Sequence, residues 1–248
     1  MFAHRGLVTA DAAARGIVEN SARAVADAVA AGAQFVESDC HLTRDGVVVL
    51  FHDDNLRRVL GDPRTLLEVD STELRALMAP RGGLLTLQEA LEQFPRTRFN
   101  IDVKADAATS AIGPIIAPHA DRVLLTAFSD RRRRAATAAV MRAGAKRRPA
   151  ASPGTATVLA VVVAVRLRAR WLLVRALRDI DALQIPERQG PVRVLTPRLI
   201  SMAHRAGVEV HVWTINEVDA MRRLADVGVD GIVTDRADVA LRLFDEQP

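Results

Sequence analysis

Glu37 and Asp39 stand two residues apart in the apolar run FVESDCHLTRDGVVVLFHD, residues 35–53. In a β-strand alternate side chains share a face, so both carboxylates point the same way. Asp45-Gly46 carries a turn signal, and residues 47–51 read as a second short strand that delivers His52-Asp53. Two carboxylates and a histidine therefore gather at one end of a hairpin-like unit. Carboxylate oxygens suit a hard cation, and a histidine beside them can move a proton. The chemistry expected of this spacing is metal-dependent hydrolysis.

The elements that must position these residues follow from the pattern on either side. Residues 2–6, FAHRG, read as a first strand ending in a charged pair. Asn20 or Ser21 can cap a helix that runs through Ala31 and stops at Gly32. A second strand covers 34–42. Residues 56–83 form a connection rich in turn signals, with one helical piece near 71–78. Thr86 and Glu89 make a capping box that opens another helix. Strands three and four fall at 99–103 and 123–127, with a helix at 129–143. Residues 147–152 give a short fifth strand, 155–179 one long helix and 182–185 a sixth strand. A helix at 196–206 ends at Gly207. Strand seven covers 208–214, a helix 217–226 and strand eight 231–234, before a last helix.

Short strands alternating with helices, without a break in composition, imply one parallel α/β domain over 1–248. Eight strands favour a closed (β/α)8 TIM barrel over an open sheet, and the 248 residues match the usual length of about 250. In such a barrel, sites are built at the carboxyl ends of the strands. His4 and Arg5 stand there after strand one, Glu37 and Asp39 on strand two, Asp102 and Lys104 on strand three. Taken singly, His4 reads as a capped surface histidine and Asp102-Lys104 as a solvated strand end. Together they bring three carboxylates, two histidines, an arginine and a lysine to one rim, which chance does not readily do.

Composition narrows the classes. Nearly half the residues are hydrophobic and tyrosine is absent, so aliphatic side chains must fill the core. The one cysteine, Cys40, excludes an internal disulfide and alternates to the face opposite Asp39. No secretory leader is visible and the longest purely apolar run, 158–165, is far short of the ~20 residues that span a bilayer. The expectation is a cytoplasmic protein without stable membrane insertion. Net charge is +4, and arginine supplies all but two of the 34 basic residues. The runs 131–134 and 146–148 lack a nucleic-acid motif or interleaved aromatics and read as solvated faces, so no nucleic-acid partner is expected. The apolar and arginine-rich stretch 155–178 could lie on an anionic membrane. Its arginines fall on several faces of a single helix, which favours an outer barrel helix instead.

The chain resembles the glycerophosphodiester phosphodiesterases. The pattern appears as His4-Arg5-Gly6, Glu19-Asn20-Ser21, Gly32-Ala33, Glu37-Ser38-Asp39, Leu42-Thr43-Arg44-Asp45-Gly46 and His52-Asp53. It continues in Asp102-Val103-Lys104, Val212-Trp213-Thr214-Ile215-Asn216 and Asp230-Gly231-Ile232-Val233-Thr234-Asp235. It is dense in the first 60 residues and weakest over 135–191. The resemblance implies a TIM barrel that hydrolyses glycerophosphodiesters to glycerol 3-phosphate and an alcohol. It implies a divalent metal, Mg²⁺ or Ca²⁺, on Glu37, Asp39 and Asp102, with His4 and His52 as the acid/base pair and Arg5 and Lys104 neutralising phosphate. Glu19 would support the site from behind and Trp213 would wall the glycerol pocket. Attack by a glycerol hydroxyl through a cyclic phosphate and direct attack by water both stay open.

Four positions depart from the family pattern. Asp102 stands where many members carry glutamate, one methylene longer. Val18 replaces a proline, Ser21 a threonine and Ala237 a proline, and none of these removes a reacting group. His41 shares the face of Glu37 and Asp39 but lies outside the family's ligand set. His119, His204 and His211 read as surface or structural. Two other readings compete: a lysophospholipase D that accepts a substrate still carrying an acyl chain, and a non-catalytic binding protein on the same barrel.

Overall fold

The computed structural model describes residues 1–245. Eight parallel strands follow one another around an axis: β1 (Phe2–His4), β2 (Phe35–Leu42), β3 (Arg98–Val103), β4 (Val123–Thr126), β5 (Ala150–Ala151), β6 (Ala182–Ile185), β7 (Glu209–Val212) and β8 (Gly231–Thr234). β1 to β5 pair in chain order, as do β6 to β8, and β8 pairs with β1, so the two ends of the chain meet in the sheet. The seam between β5 and β6 has no ladder. There the Asp181 N–H donates to the Ala151 carbonyl at 2.9 Å, and the Asp181 carboxylate accepts from the Ala151 N–H at 2.8 Å. All eight expected strands are present, and the fold is the TIM barrel. The fifth shrinks from the expected 147–152 to two residues, with Pro149, which has no N–H to give a ladder, standing just before it.

Alternation sorts the strand side chains into an apolar outer face and a polar inner one. Outward-facing Val36, Cys40, Ile101, Val103 and Leu125 pack under the helices on one side. Leu183, Ile185, Val210, Val212 and Ile232 do the same on the other. Each such aliphatic side chain contributes about 1.5–3 kcal/mol by leaving water. The parallel register then stacks the inward residues in levels. His4, Glu37 and Asn100 share one level, and Asp39, Asp102 and Thr126 the next.

Beyond β2 the chain turns at Asp45-Gly46 and returns as an antiparallel strand, Val48–Leu50, with Cys40 opposite Leu50. The connection that follows carries the expected helix, Ser71–Met78. It closes on its own small core of Leu56, Leu66, Leu74 and Met78, which anchors His52 and Asp53 beside the rim.

One expected element is wrong. Residues 155–179 form two helices, Thr155–Arg166 and Arg170–Ala176. Arg168 adopts a left-handed backbone (φ 56°), and the Ala169 N–H reaches back to the Ala164 carbonyl at 2.9 Å, a helix stop of the Schellman kind. The break lets Val161 and Val165 face Leu173 and Leu177 in one core. A straight helix of that length would run about 37 Å and bury only one side. A hairpin of Arg188–Gln189 and Val192–Arg193 and the helices Ala10–Ala14 and Ala108–Ile116 were also not foreseen. Among the described residues no helix is long and apolar enough to cross a membrane.

Candidate active site

The chain leaves β1 through strained backbone. Arg5 (φ 56°) and Asn20 (φ 58°) are both left-handed, and the Asn20 N–H donates to the Arg5 carbonyl at 2.8 Å. Such conformations cost roughly 1 kcal/mol or more each and persist where the surroundings impose them. Gly6 follows at φ +90°, where a Cβ would stand 2.6 Å from the Ala24 carbonyl carbon. Only glycine lets the helix Ala22–Ala30 press this close to the strand end. Ser21 caps that helix through the Ala24 N–H at 3.1 Å. Asn20 is buried and does something else: its Nδ2 donates to Asp39 Oδ2 at 3.1 Å while its Oδ1 accepts from Ser38 at 2.6 Å.

At the floor, Glu37, Asp39 and Asp102 are buried, with 8 %, 1 % and 6 % exposure. Lys104 Nζ lies 3.0 Å from Asp39 Oδ1 and 2.6 Å from Asp102 Oδ2. Arg5 places Nε 3.1 Å from Asp39 Oδ2 and donates from Nη1 to Glu19 at 2.8 Å. Burial, and then the charges of Asp39 and Asp102, push the Glu37 carboxyl well above the usual carboxylate range. Burial likewise raises Asp102, against the pull of Lys104. Burial would lower Lys104, but Asp39 and Asp102 outweigh it and hold the ammonium above its ordinary value. Three carboxyl groups face two fixed cations, so all three could ionise together only with further positive charge.

Among the described residues no three His, Cys, Asp or Glu side chains are arranged to hold a metal ion as they stand. The Lys104 ammonium takes the space between two of the carboxylates. The donor set still fits a hard divalent cation, since it is all oxygen. Glu37 Oε2 and Asp102 Oδ1 are buried without a hydrogen-bond partner, a costly state that a cation would relieve.

Two histidine arms rise beside this floor. His4 Nδ1 is 2.6 Å from Asp235 Oδ1, and Asp235 is itself held by Asn216 Nδ2 at 2.7 Å. The hydrogen bond from His4 draws the Asp235 carboxyl below its usual range. His52 Nδ1 is 2.6 Å from Asp53 Oδ1. Arg58 then links Asp53 at 2.7 Å to Glu19 at 2.7 Å, and Glu19 leads back to Arg5. With Nδ1–H donating to a carboxylate in each ring, Nε2 is the nitrogen left for proton transfer. His41 is buried beneath, its Nε2 donating to the His52 carbonyl at 3.1 Å.

A cavity of about 620 Å³ opens over the floor. His4, Arg5, Glu37, Asp39, His52, Asp102, Lys104 and Trp213 all line it, so the barrel gathers the expected site in one place. Glu19 does not reach it and stands behind Arg5, braced by Arg58. The far wall is apolar, built from Phe128, Val158, Leu159, Ile185 and Val192, with the Trp213 ring edge-on to Phe128 at 6.3 Å. Residue-type reasoning missed Asn20, Asn100, Arg58 and Asp235. Asp235 and Asn20 lie within motifs that flagged their neighbours; nothing local marks Arg58.

Comparison with known proteins agrees with this geometry. The model of the glycerophosphoryl diester phosphodiesterase family matches residues 4–239. A probable glycerophosphodiester phosphodiesterase 2 of Mycobacterium tuberculosis is 38 % identical over 242 residues, covering 96 % of this chain and 88 % of that protein. A lysophospholipase D of Mus musculus is 38 % identical over 101 residues, 35 % of this chain and 31 % of its own. Among solved structures, an Oleispira antarctica phosphodiesterase in complex with the product sn-glycerol-3-phosphate superposes with a TM-score of 0.74. It is 21 % identical, and the match covers 99 % of this chain and 96 % of that one. With the family's motifs lining one cavity at the carboxyl ends of the barrel strands and the match running through nearly the whole chain, this protein belongs to the glycerophosphoryl diester phosphodiesterase family.

Proposed function

We propose that this protein hydrolyses glycerophosphodiesters to glycerol 3-phosphate and an alcohol. The observation that carries the reading is the pairing of two carboxylate-held histidines with a cation-seeking carboxylate floor in one cavity. Phosphodiester cleavage needs one group to take the proton of the attacking oxygen and another to return one to the leaving alkoxide. His4 and His52 supply both from Nε2. Asp235 and Asp53 fix their tautomer and orientation and stabilise the charge that forms on each ring. The same pair serves attack by water or by the glycerol hydroxyl through a cyclic phosphate.

Glu37, Asp39 and Asp102 would hold a divalent cation, Mg²⁺ or Ca²⁺, which when bound supplies charge stabilisation to the phosphoryl oxygens. Arg5 and Lys104 neutralise phosphate, the arginine as a fork and the lysine as a movable point charge. Asn20 keeps Asp39 aimed, and Glu19 positions Arg5. The single free, buried Cys40 suits a cytoplasmic location.

A second reading, cleavage of lysophospholipids to release the headgroup alcohol, is favoured by the apolar wall of Phe128, Val158, Leu159 and Val192. A glycerol moiety alone does not need that wall; an acyl chain does. A coupled assay for glycerol 3-phosphate across glycerophosphocholine, glycerophosphoethanolamine and glycerophosphoglycerol, each with Mg²⁺ or Ca²⁺, tests the first reading. Absence of product from all of them sinks it. Free choline release from lysophosphatidylcholine, measured in parallel, decides the second.

A further inference from the structure

Away from the cavity, the outer wall of the barrel carries a basic cleft that the reaction does not use. The helix Pro197–Arg205 presents Arg198, Ser201, Met202 and Arg205 on one face at i, i+3, i+4 and i+7 spacing. The chain reversal between the helices Thr155–Arg166 and Arg170–Ala176 sets Arg168 and Arg170 opposite them, across a cleft of about 430 Å³. All four arginines are exposed. Among the described residues none of them meets a carboxylate, whereas Arg148 and Arg223 are each ion-paired.

Apolar side chains border this cleft. Leu167, Trp171 and Val174 are 67 %, 71 % and 51 % exposed. Leu159 and Val163 continue the ridge along the preceding helix, also exposed, and Leu159 lines the cavity mouth. Of the other large exposed hydrophobics on the described surface, Phe128 and Val192 belong to the cavity wall, while Leu67, Met141 and Val227 lie far apart in sequence from this ridge, which is ordinary. Five on one ridge, leading to the site, are not. No aspartate or glutamate occurs from residue 155 to 178.

We propose that this face docks the protein reversibly on an anionic phospholipid surface. Guanidinium forks in the cleft take lipid phosphates, and Trp171, Leu167 and Val174 enter the interfacial region beside them. A free phosphate would fill the cleft but leave the apolar ridge without a purpose. A nucleic acid would ask for aromatics interleaved with the arginines, and Trp171 is the one aromatic side chain between residues 129 and 212. Continuity of the ridge with Leu159 turns the cavity mouth toward the surface that holds lipid-derived substrate. Docking itself stands whichever phosphodiester the site cleaves.

The full chain is sedimented with phosphatidylcholine vesicles, with and without phosphatidylglycerol, and tryptophan emission is followed in parallel. Binding is expected only with phosphatidylglycerol, weakening as salt rises, with a blue shift that persists in Trp213→Phe and therefore reports Trp171. Replacing Arg168, Arg170, Arg198 and Arg205 together by Gln should weaken binding by at least about tenfold, since each basic residue at a charged surface contributes several-fold. Trp171→Ser should abolish the shift and weaken binding. Thermal midpoints verify folding independently of activity, and the single variant Trp171→Ser decides alone if the quadruple one does not fold. Equal binding to both vesicle types, no binding, or undiminished binding by Trp171→Ser overturns the proposal. So does release from vesicles by inorganic phosphate at unchanged ionic strength, which would make the cleft a free-anion site, or equally tight binding to a nonspecific duplex.

Discussion

A histidine works as acid or base only from the nitrogen that faces the reacting oxygen, and here the other nitrogen of each ring is tied down. Asp235 holds His4 and Asp53 holds His52, each at 2.6 Å. His4→Ala or His52→Ala is expected to lower turnover by at least ~10²-fold with the thermal midpoint unchanged; near-normal turnover in either would remove its assigned role. Asp235→Asn keeps the ring but swaps its acceptor for an amide. Its kcat should fall less than that of His4→Ala, with KM preserved, as steady-state kinetics on one glycerophosphodiester would reveal. At the floor, Glu37 carries a raised pKa, caused by burial and then by Asp39 and Asp102. A raised carboxyl leaves the fold unaffected below the unfolded-state pKa and destabilises it as pH climbs through the folded one. Glu37→Gln should therefore raise the thermal midpoint in chelator at neutral and alkaline pH, and this gain should vanish below about pH 4, the unfolded carboxyl value.

The hairpin after β2 is an element whose turn also holds its neighbour. Asp45 accepts from Thr43 Oγ1 at 2.5 Å, from the Ser71 N–H at 2.9 Å and from Ser71 Oγ at 2.6 Å. It thereby ties the turn to the first residue of the helix Ser71–Met78, whose own preceding residue, Asp70, makes no side-chain cap. The hydrogen bonds from Ser71 and Thr43 draw the Asp45 carboxyl down to about 2. Asp45→Ala should cost on the order of 1 kcal/mol, as a lost helix cap does. Because the folded pKa is depressed, that difference from wild type should be full above about pH 4 and shrink as pH falls toward 2. Urea midpoints across that range measure it. A deficit that stays constant down to pH 2 would assign the effect to packing instead.

For the molecule as a whole, stability and activity should both answer to a divalent cation, since the three buried carboxyl groups could ionise together only with charge beyond the two fixed cations. Treatment with EDTA should abolish hydrolysis and Mg²⁺ or Ca²⁺ restore it. Addition of the cation to the chelated protein should raise its thermal midpoint by mass action. Glu37→Gln should respond weakly or not at all. Turnover that persists in chelator would refute the carboxylate site as a cation site, and a midpoint indifferent to either metal would do so without reference to activity.

Period-two alternation sufficed to put Glu37 and Asp39 on one face and Cys40 on the other, because side-chain direction along a strand is a local property. The same local rules marked the helix Ser71–Met78, the capping box at Thr86 and the eight strands, and the motifs named the charged residues that line the cavity but not the polar Asn100, Thr126 and Gln184 beside them. Glu19, expected to support the site, accepts from Arg5 Nη1 at 2.8 Å. What local pattern does not contain is the partner across the barrel. His4 and Asp235 are 231 residues apart and meet only because β1 pairs with β8. Asn20 looked like a helix cap because capping is judged from the next three residues, whereas its bond to Asp39 depends on where β2 lies. The stretch 155–179 read as one helix since its composition never breaks. Packing of Val165 and Leu173 into a shared core stops it at Arg168, and that stop brings Arg168 and Arg170 to one cleft. Sequence alone determined which groups are chemically able to act; closure of the barrel decided which of them touch, because contact between distant strands is set by register and packing rather than by any run of neighbouring residues.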